Sequence, residues 1–258
     1  MLNDSTPAEN RLIVALDFNN AADALRLVDR LAGTVSFFKV GLELFVAGGR
    51  EVVRSLLDRN LRAFLDLKMN DIPETVARAV RQAASMGVDF LTILGDAATM
   101  KAAAEGRGDS TLRILCVTVL TSVSEQDLGQ LGLVGPNCRF KSLDEYVLWR
   151  AELALEQGCD GLITSGENVA ALRERFRAAR PLLVCPGIRP QGAALNDQKR
   201  PSTPYNAIVA GADYLVVGRP IRDAGDPKKA AEGMIGEIST ALGHRPATPG
   251  AWSVPPVK

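Results

Sequence analysis

The sequence has 258 residues, of which 47% are hydrophobic, enough to bury the core of one large domain. Thirty basic residues balance thirty acidic ones, so the overall charge gives no reason to expect binding to nucleic acid or to a membrane surface. No apolar run approaches the ~18–20 residues that a membrane-spanning helix needs.

The four cysteines are Cys116, Cys138, Cys159 and Cys185. None of them forms a CxxC pair, and we expect reduced thiols of the kind found in cytosolic proteins. The first ten residues are polar and lack the charged-then-apolar pattern of a signal peptide. The sequence therefore predicts a cytoplasmic protein.

Short apolar runs alternate with longer amphipathic stretches along the chain. The runs predict eight buried parallel strands, at residues 12–16, 37–40, 63–67, 90–94, 113–120, 161–164, 182–185 and 214–217. Helical periodicity separates them, for example at residues 23–31, 42–60, 73–86, 143–157, 168–179 and 227–242. Eight β-then-α units predict an α/β fold, a closed (β/α)8 TIM barrel in a single domain. A doubly wound dinucleotide-binding sheet is disfavoured because no GxGxxG follows the first strand.

The predicted barrel domain covers residues 11–243, between an extension at 1–10 and a proline-rich tail at 244–258. Two long irregular segments are expected, at residues 129–141 and 189–204. The second is rich in Gly, Pro, Asn and Gln and fits either a mobile lid over a site or a plain surface loop. No internal repeat is evident beyond the βα alternation.

Charged residues cluster where the first three strands end, which is the active-site face of such barrels. Asp17 follows the first strand, Lys39 lies in the second, and Asp66 and Lys68 end the third. Residues two apart on a strand point the same way, so Asp66 and Lys68 should both face the barrel mouth. Spacing alone leaves two interpretations open, a salt-bridge network that holds the loops or a catalytic cluster that includes Asp71.

The residues around this cluster resemble a known family. Residues 64–75, FLDLKMNDIPET, are similar to the signature of orotidine 5′-monophosphate decarboxylases. Six further blocks resemble the family in its own order, at residues 13–17, 38–41, 117–122, 186–190, 197–200 and 217–220. Together they cover about residues 11–240. The resemblance implies a cofactor-independent and metal-free decarboxylase that converts orotidine 5′-monophosphate to uridine 5′-monophosphate, the last step of de novo pyrimidine nucleotide biosynthesis.

The resemblance also implies a role for individual residues. Lys68 would protonate C6 of the pyrimidine after carbon dioxide leaves, with Asp66, Asp71 and Lys39 completing an alternating charge array. Asp17 and Lys39 would contact the ribose hydroxyls. Thr121 would contact the pyrimidine, and Ile72, Thr75 and Pro186 are further predicted substrate-binding residues. Asp71 and Thr75 would reach into the site of a neighbouring subunit, which makes the expected functional unit a homodimer.

A phosphate site is expected at the loops after the last two strands, as in many such barrels. Arg189 follows the seventh strand, and Gly218 and Arg219 follow the eighth. A glycine backbone can approach an oxygen closely, and an arginine offers a planar fork of donors. Gln198, in the irregular segment, would supply a further donor. Taken singly, each arginine could equally form a surface salt bridge.

Two positions depart from the family pattern. Leu94 stands where most members carry His, and Cys185 stands where the family usually has Thr. Two other functions remain open: a magnesium-dependent sugar-phosphate decarboxylase or aldolase of the same suprafamily, and a non-catalytic nucleotide-binding barrel. The sugar-phosphate enzymes typically have an acidic residue where Lys39 stands, which favours the nucleotide decarboxylase.

Overall fold

The computed structural model describes residues 6–190 and 202–244. Within these residues, eight parallel strands close into a barrel in which each strand pairs with its neighbours in the sequence and β8 pairs with β1. The strands are β1 Leu12–Ala15, β2 Phe37–Gly41, β3 Arg62–Met69, β4 Phe90–Ile93, β5 Arg113–Val117, β6 Gly161–Ile163, β7 Leu182–Cys185 and β8 Tyr214–Val217. The predicted single-domain TIM barrel is confirmed.

Helices surround the barrel. They are α1 Ala21–Arg30, α2 Leu42–Asp58, α3 Pro73–Met86, α4 Ala97–Gly106, α5 Glu125–Gln130, α6 Leu143–Glu156, α7 Val169–Arg175, α8 Pro204–Ala210, α9 Arg219–Arg222 and α10 Pro227–Gly243. Within the described part of the chain, no helix is long and apolar enough to cross a membrane.

Some predicted bounds were wrong. The fifth strand ends at Val117 instead of residue 120, because the chain turns away from the barrel before Leu120. The predicted helix at 168–179 is shorter, since a 3-10 turn at Gly166–Asn168 precedes α7 and the helix ends at Arg175. Most of the irregular segment predicted at 189–204 lies outside the described residues, and of its described part Ser202 pairs with Ile188 and Thr203 caps α8.

Alternation along the strands divides the core into two layers. In β1, Ile13 and Ala15 point into the barrel, whereas Leu12 and Val14 pack against the helices. The barrel interior near the strand starts is closed by aromatic rings, with the centroids of Phe37 and Phe90 5.0 Å apart. The candidate site lies at the opposite end of the barrel, in a cavity at the carboxyl ends of the strands.

The structure also shows a repeat that the sequence interpretation overlooked. A Gly-x-Asp motif precedes β4, β6 and β8, at residues 87–89, 158–160 and 211–213. Each glycine has a positive φ of 83°, 87° or 114°, which ends the preceding helix or turn at low conformational cost. Each aspartate carboxylate then accepts a hydrogen bond from a backbone amide of the preceding strand, as Asp89 does from Ala63 at 3.1 Å. The motif joins neighbouring strands at the amino end of the barrel.

Candidate active site

The candidate site is a cavity of about 330 Å³ at the carboxyl ends of the strands. The sequence-predicted residues that line it are Asp17, Lys39, Asp66, Lys68, Thr121, Pro186, Arg189, Gly218 and Arg219. The fold thus brings together residues from β2 and β3 with residues that follow β1, β5, β7 and β8.

Four of these side chains form an alternating row of charges across β1 to β3. Lys39 Nζ lies 2.9 Å from Asp17 Oδ1 and 3.4 Å from Asp66 Oδ2. Lys68 Nζ lies 2.8 Å from Asp66 Oδ1. We call Asp17, Lys39, Asp66 and Lys68 the charge array. The side chain of Asp17 is half-buried at the cavity mouth, whereas that of Lys39 is only 10% exposed.

The pairing determines how these groups ionise. Burial by itself would raise the pKa of Asp66, but the ammonium groups of Lys39 and Lys68 outweigh it and hold that pKa below its ordinary value. Burial would lower the pKa of Lys39, but Asp66 and Asp17 raise it above the ordinary value. The buried members of the array are therefore charged at neutral pH.

Two arginines define the other side of the cavity, after β7 and β8. Arg189 is 7% exposed, and its Nη1 donates to the carbonyl of Ile188 at 2.8 Å. Its Nε is buried and has no hydrogen-bond partner among the described residues. Burial, and next the nearby charge of Arg219, lower the pKa of Arg189. Arg189 therefore lies beside a second positive charge and has an N–H donor without a partner among the described residues. Such a guanidinium is suited to bind an anion.

Asp71, Ile72 and Thr75 lie outside this lining. All three are exposed, at the turn before α3 and in its first residues. The Asp71 carboxylate accepts the backbone N–H of Ile72 at 2.6 Å, and its carbonyl oxygen accepts from the Thr99 hydroxyl at 3.3 Å. These three residues therefore do not line the cavity of their own chain. Gln198 lies outside the described residues.

Several lining residues were missed by sequence reasoning. Arg222 reaches the cavity from α9, and its Nη1 donates to the carbonyl of Asp17 at 2.7 Å. Its spacing of three from Arg219 puts both on one helix face, a signal that was available. Phe64, Ile163 and Val216 line the cavity as inward-facing residues of their strands. Strand alternation could have identified them.

Gly41 belongs to one of the family-like blocks, but sequence reasoning gave it no role. A Cβ built on it would lie 2.9 Å from Lys39 Nζ and 3.1 Å from Asp17 Oδ1. The absence of a side chain thus leaves room for the Lys39–Asp17 pair. Of the two departures from the family pattern, Leu94 is partly buried against the inner cluster, whereas Cys185 is fully buried in the outer layer.

Comparison with known proteins shows the family to which the chain belongs. The family described as "Orotidine 5'-phosphate decarboxylase / HUMPS family" matches residues 10–234. An orotidine 5′-phosphate decarboxylase of Nitrobacter winogradskyi is 48% identical over 239 residues, which are 93% of this chain and 97% of the relative. One from Rhodopseudomonas palustris is 47% identical over 237 residues, 92% of this chain and 97% of the relative.

Among solved structures, the orotidine 5′-phosphate decarboxylase of Lactobacillus acidophilus superposes with a TM-score of 0.76 at 36% identity. The match covers 89% of this chain and 99% of that chain. The family match spans most of the chain, and both curated relatives are well above 30% identity over nearly their whole length. The chain belongs to the orotidine 5′-phosphate decarboxylase / HUMPS family.

Proposed function

We propose that this chain decarboxylates orotidine 5′-monophosphate to uridine 5′-monophosphate, the last step of de novo pyrimidine nucleotide biosynthesis. The observation that carries the proposal is the charge array, which lies in one cavity with the two arginines. Such a cavity offers alternating charges to a reacting ring and cations to a phosphate. The named activity of the curated relatives supports the same conclusion.

In this reaction the bond between C6 and the carboxylate carbon breaks, and its electron pair stays on C6. Carbon dioxide leaves, and C6 then forms a bond to a proton, which Lys68 gives up and recovers from water. The electron pair at C6 lies in the ring plane and has no adjacent π system to delocalise it. Fixed charges must therefore stabilise it.

Lys68 is the proposed proton donor because its ammonium belongs to the more accessible lysine of the array, with a side chain that is 29% exposed. A cation ~4 Å from the developing charge contributes on the order of 4 kcal/mol at an effective dielectric near 20. That energy corresponds to about three powers of ten in rate. Asp66 holds this ammonium at 2.8 Å, so Lys68 is oriented before the substrate arrives.

Binding energy from the phosphate supplies a further part of the acceleration. Arg189 and Arg219 are proposed to hold the phosphate, with the backbone of Gly218 and the side chain of Gln198 as further donors. Asp17 and Lys39 would bind the ribose hydroxyls, and Thr121 and Pro186 the pyrimidine side. The Nε of buried Arg189, which has no partner in the part of the chain that the structure describes, supports this assignment.

The proposed functional unit is a homodimer in which Asp71, Ile72 and Thr75 act in the partner's site. Their exposure outside their own cavity supports the proposal. Ile72 is 65% exposed, and Leu42 and Val46, at the start of the preceding helix, are 57% and 86% exposed. Exposed apolar side chains on one rim of the barrel are typical of an interface between two copies.

The proposal includes chemistry without a metal or cofactor and a cytoplasmic location. All four cysteines are unpaired thiols, which supports a reducing compartment. A sugar-phosphate enzyme of the same family is less well supported, because Lys39 stands where such enzymes typically place an acidic residue. The two possibilities differ in metal dependence: treatment with EDTA should leave the decarboxylation rate unchanged, whereas a loss restored by Mg²⁺ would favour the sugar-phosphate enzyme.

The direct test follows the loss of orotidine 5′-monophosphate absorbance with purified protein. We expect turnover in the wild type and a loss of at least about 1000-fold in Lys68→Ala, because one cation near C6 lowers the barrier by about that factor. Lys101→Ala, which removes an exposed lysine paired with Glu105 on α4, is the matched control and should stay active. Near-normal turnover in Lys68→Ala would rule out the proton-donor role, and no turnover in folded wild type would rule out the activity.

A further inference from the structure

Thr92 lies directly behind the charge array. It is the third residue of β4 and is fully buried, with 0% exposure. Its neighbours Leu91 and Ile93 point outward into the helix layer. Thr92 therefore points inward, toward β3 and the two array residues that β3 carries.

The Thr92 hydroxyl makes two hydrogen bonds of fixed direction. The backbone N–H of Lys68 can only donate, so the Thr92 oxygen accepts it, at 2.9 Å. The hydroxyl proton is then free to point to Asp66 Oδ1, also 2.9 Å away. One hydroxyl thus links the backbone of the proposed proton donor to the carboxylate that holds its ammonium.

These bonds lie where β3 departs from regular pairing. The register between β3 and β4 shifts between Leu65 and Met69, and Lys68 has a φ of 47°. A non-glycine residue in this left-handed region is strained and persists only when its surroundings hold it. The Lys68 amide donates to the Thr92 hydroxyl within this irregular stretch of β3.

Asp66 has few other constraints on its orientation. Its Oδ1 accepts from Thr92 and from Lys68 Nζ at 2.8 Å, while its Oδ2 faces Lys39 Nζ at 3.4 Å. Both lysine side chains are long and can follow a rotated carboxylate. Thr92 is short, buried and fixed to a strand, so it is the rigid contact among the three.

We propose that Thr92 is a positioning residue that fixes the Asp66 carboxylate and the strained Lys68 backbone in their catalytic orientation. The inference rests on the proposed function. It adds to that function a buried hydroxyl, outside the cavity lining, on which the geometry of the proton donor depends.

Removing the hydroxyl should impair the chemical step more than substrate binding. Thr92→Val keeps the size of the side chain but leaves the Lys68 amide without its acceptor and removes the hydroxyl donor from Asp66. We expect kcat to fall about 10- to 100-fold, as for loss of a hydrogen bond to a charged group, with KM changed less than about threefold. Thr92→Ser, which keeps the hydroxyl, should retain most of the activity.

The pH dependence of kcat/KM distinguishes a positioning role from a purely structural one, because the loss of a purely structural contact would not change it. The Thr92 hydroxyl is among the groups that lower the pKa of Asp66, after the charges of Lys39 and Lys68. Loss of this donor makes the carboxylate easier to protonate. The acid limb of kcat/KM should therefore shift to higher pH in Thr92→Val and not in Thr92→Ser.

Two further comparisons keep the test decisive. Thr118→Val removes another buried hydroxyl, one that donates to the carbonyl of Ile163 at 3.1 Å, and should lower stability without changing the pH profile. If Thr92→Val does not fold, Thr92→Ala and Thr92→Ser replace it, since both lose the methyl group and they differ only in the hydroxyl. The alanine variant should then be about 10- to 100-fold slower than the serine variant.

The outcomes separate this inference from the proposed function. A wild type that does not convert orotidine 5′-monophosphate removes the function and the inference with it. A wild type that is active, together with a folded Thr92→Val of unchanged kcat and pH profile, overturns the positioning role alone. Equal damage in the serine and alanine variants would also overturn it, because the hydroxyl would then make no difference.

Discussion

At the scale of single residues, the site depends on charged groups that are paired with one another and on small uncharged residues that leave room for them. Lys39 is the clearest case, because it is nearly buried and pairs with both Asp17 and Asp66. A buried lysine without partners would lose its proton, but here the two carboxylates raise its pKa. The ionisation of Lys39 therefore depends on the groups that surround it.

Gly41→Ala tests this dependence on small neighbours. The new methyl group would lie 2.9 Å from Lys39 Nζ, so the end of the lysine must move and its contact with Asp17 must change. The φ of Gly41 is −92°, which alanine adopts freely, so the fold should be kept. We expect kcat/KM to fall on the order of 10- to 100-fold, as for a small misplacement of a charged group, while the urea midpoint changes little.

The matched control is Gly236→Ala, since nothing lies within 4 Å of the Cβ that it would carry. This variant should keep full activity and gain slightly in helix stability, because alanine is the better helix former. A Gly41→Ala variant with unchanged kcat and KM would show that the Lys39–Asp17 contact is not needed for turnover.

Asp66 connects the array to stability as a function of pH. Its pKa in the folded protein lies below the ordinary value, so folding stabilises the ionised carboxylate relative to the protonated one. The resulting stability is present above the unfolded pKa of about 4 and is lost as the pH falls through the lower folded pKa.

Asp66→Asn removes this titrating group. A comparison of the wild type with the variant should therefore reveal the pH-dependent part of the stability. We expect the wild type to exceed the variant in free energy of unfolding at neutral pH, and the difference to shrink as the pH falls below about 4. Urea unfolding from pH 3 to 8 at fixed protein concentration measures it. A difference that is constant over this range would contradict the lowered pKa.

At the scale of secondary-structure elements, the two ends of the barrel have separate tasks. The carboxyl ends carry the site, whereas the amino ends carry the Gly-x-Asp motifs and their ion pairs. Asp213 is the most buried of the three aspartates and pairs with Arg173, which is also buried. Arg173 in addition donates to the carbonyls of Gly211 and Pro181, at 2.8 and 2.6 Å, and so ties the start of β8 to β7.

Asp213→Ala should therefore destabilise the protein without changing the chemistry. It leaves a buried guanidinium without its counterion, which typically costs about 3–5 kcal/mol in free energy of unfolding. Asp58→Ala is the control, since it breaks an exposed pair with Arg54 and should cost at most about 0.5 kcal/mol. Urea unfolding and kcat are measured for both. A drop in kcat for folded Asp213→Ala at a temperature well below its unfolding would contradict the separation of the two ends.

The elements also show what could be read from the sequence. All eight strands were predicted, because buried parallel strands are continuous apolar runs such as residues 214–217. Helix α4 was not singled out, since its alanine-rich sequence has little contrast between faces. The Gly-x-Asp repeat was missed because its role depends on the fold. Each aspartate carboxylate accepts a backbone N–H of the preceding strand only after the two strands have paired.

The same limit applies to the site. Asp17, Lys39, Asp66 and Lys68 were predicted as a set, since charge at strand ends is unusual and the surrounding residues resemble a family. Thr92 gives no such signal, because a threonine in an apolar strand is ordinary β propensity. Its contact with Asp66 depends on the irregular register of β3, which local sequence does not specify.

At the scale of the whole molecule, two of the proposed site residues lie outside the cavity of their own chain. Its cavity holds the charge array and both arginines, but Asp71 and Thr75 are exposed elsewhere on the same rim. A two-fold axis that brings the rims of two copies together would make each copy complete the other. The exposed side chains of Leu42, Val46 and Ile72 would then be covered by the same contact.

Mixing two inactive variants tests whether the sites are shared. In a dimer of one Lys68→Ala and one Asp71→Ala chain, one site loses both residues and the other keeps both, if Asp71 acts in its partner's site. Random pairing of equal amounts should restore about one quarter of wild-type activity, since half of the dimers are mixed and each has one intact site. Exchange is verified by mass spectrometry of differently tagged chains, and self-mixed variants are the controls. A verified mixture that stays inactive would place Asp71 in its own chain's site, because no mixed dimer would then contain an intact one.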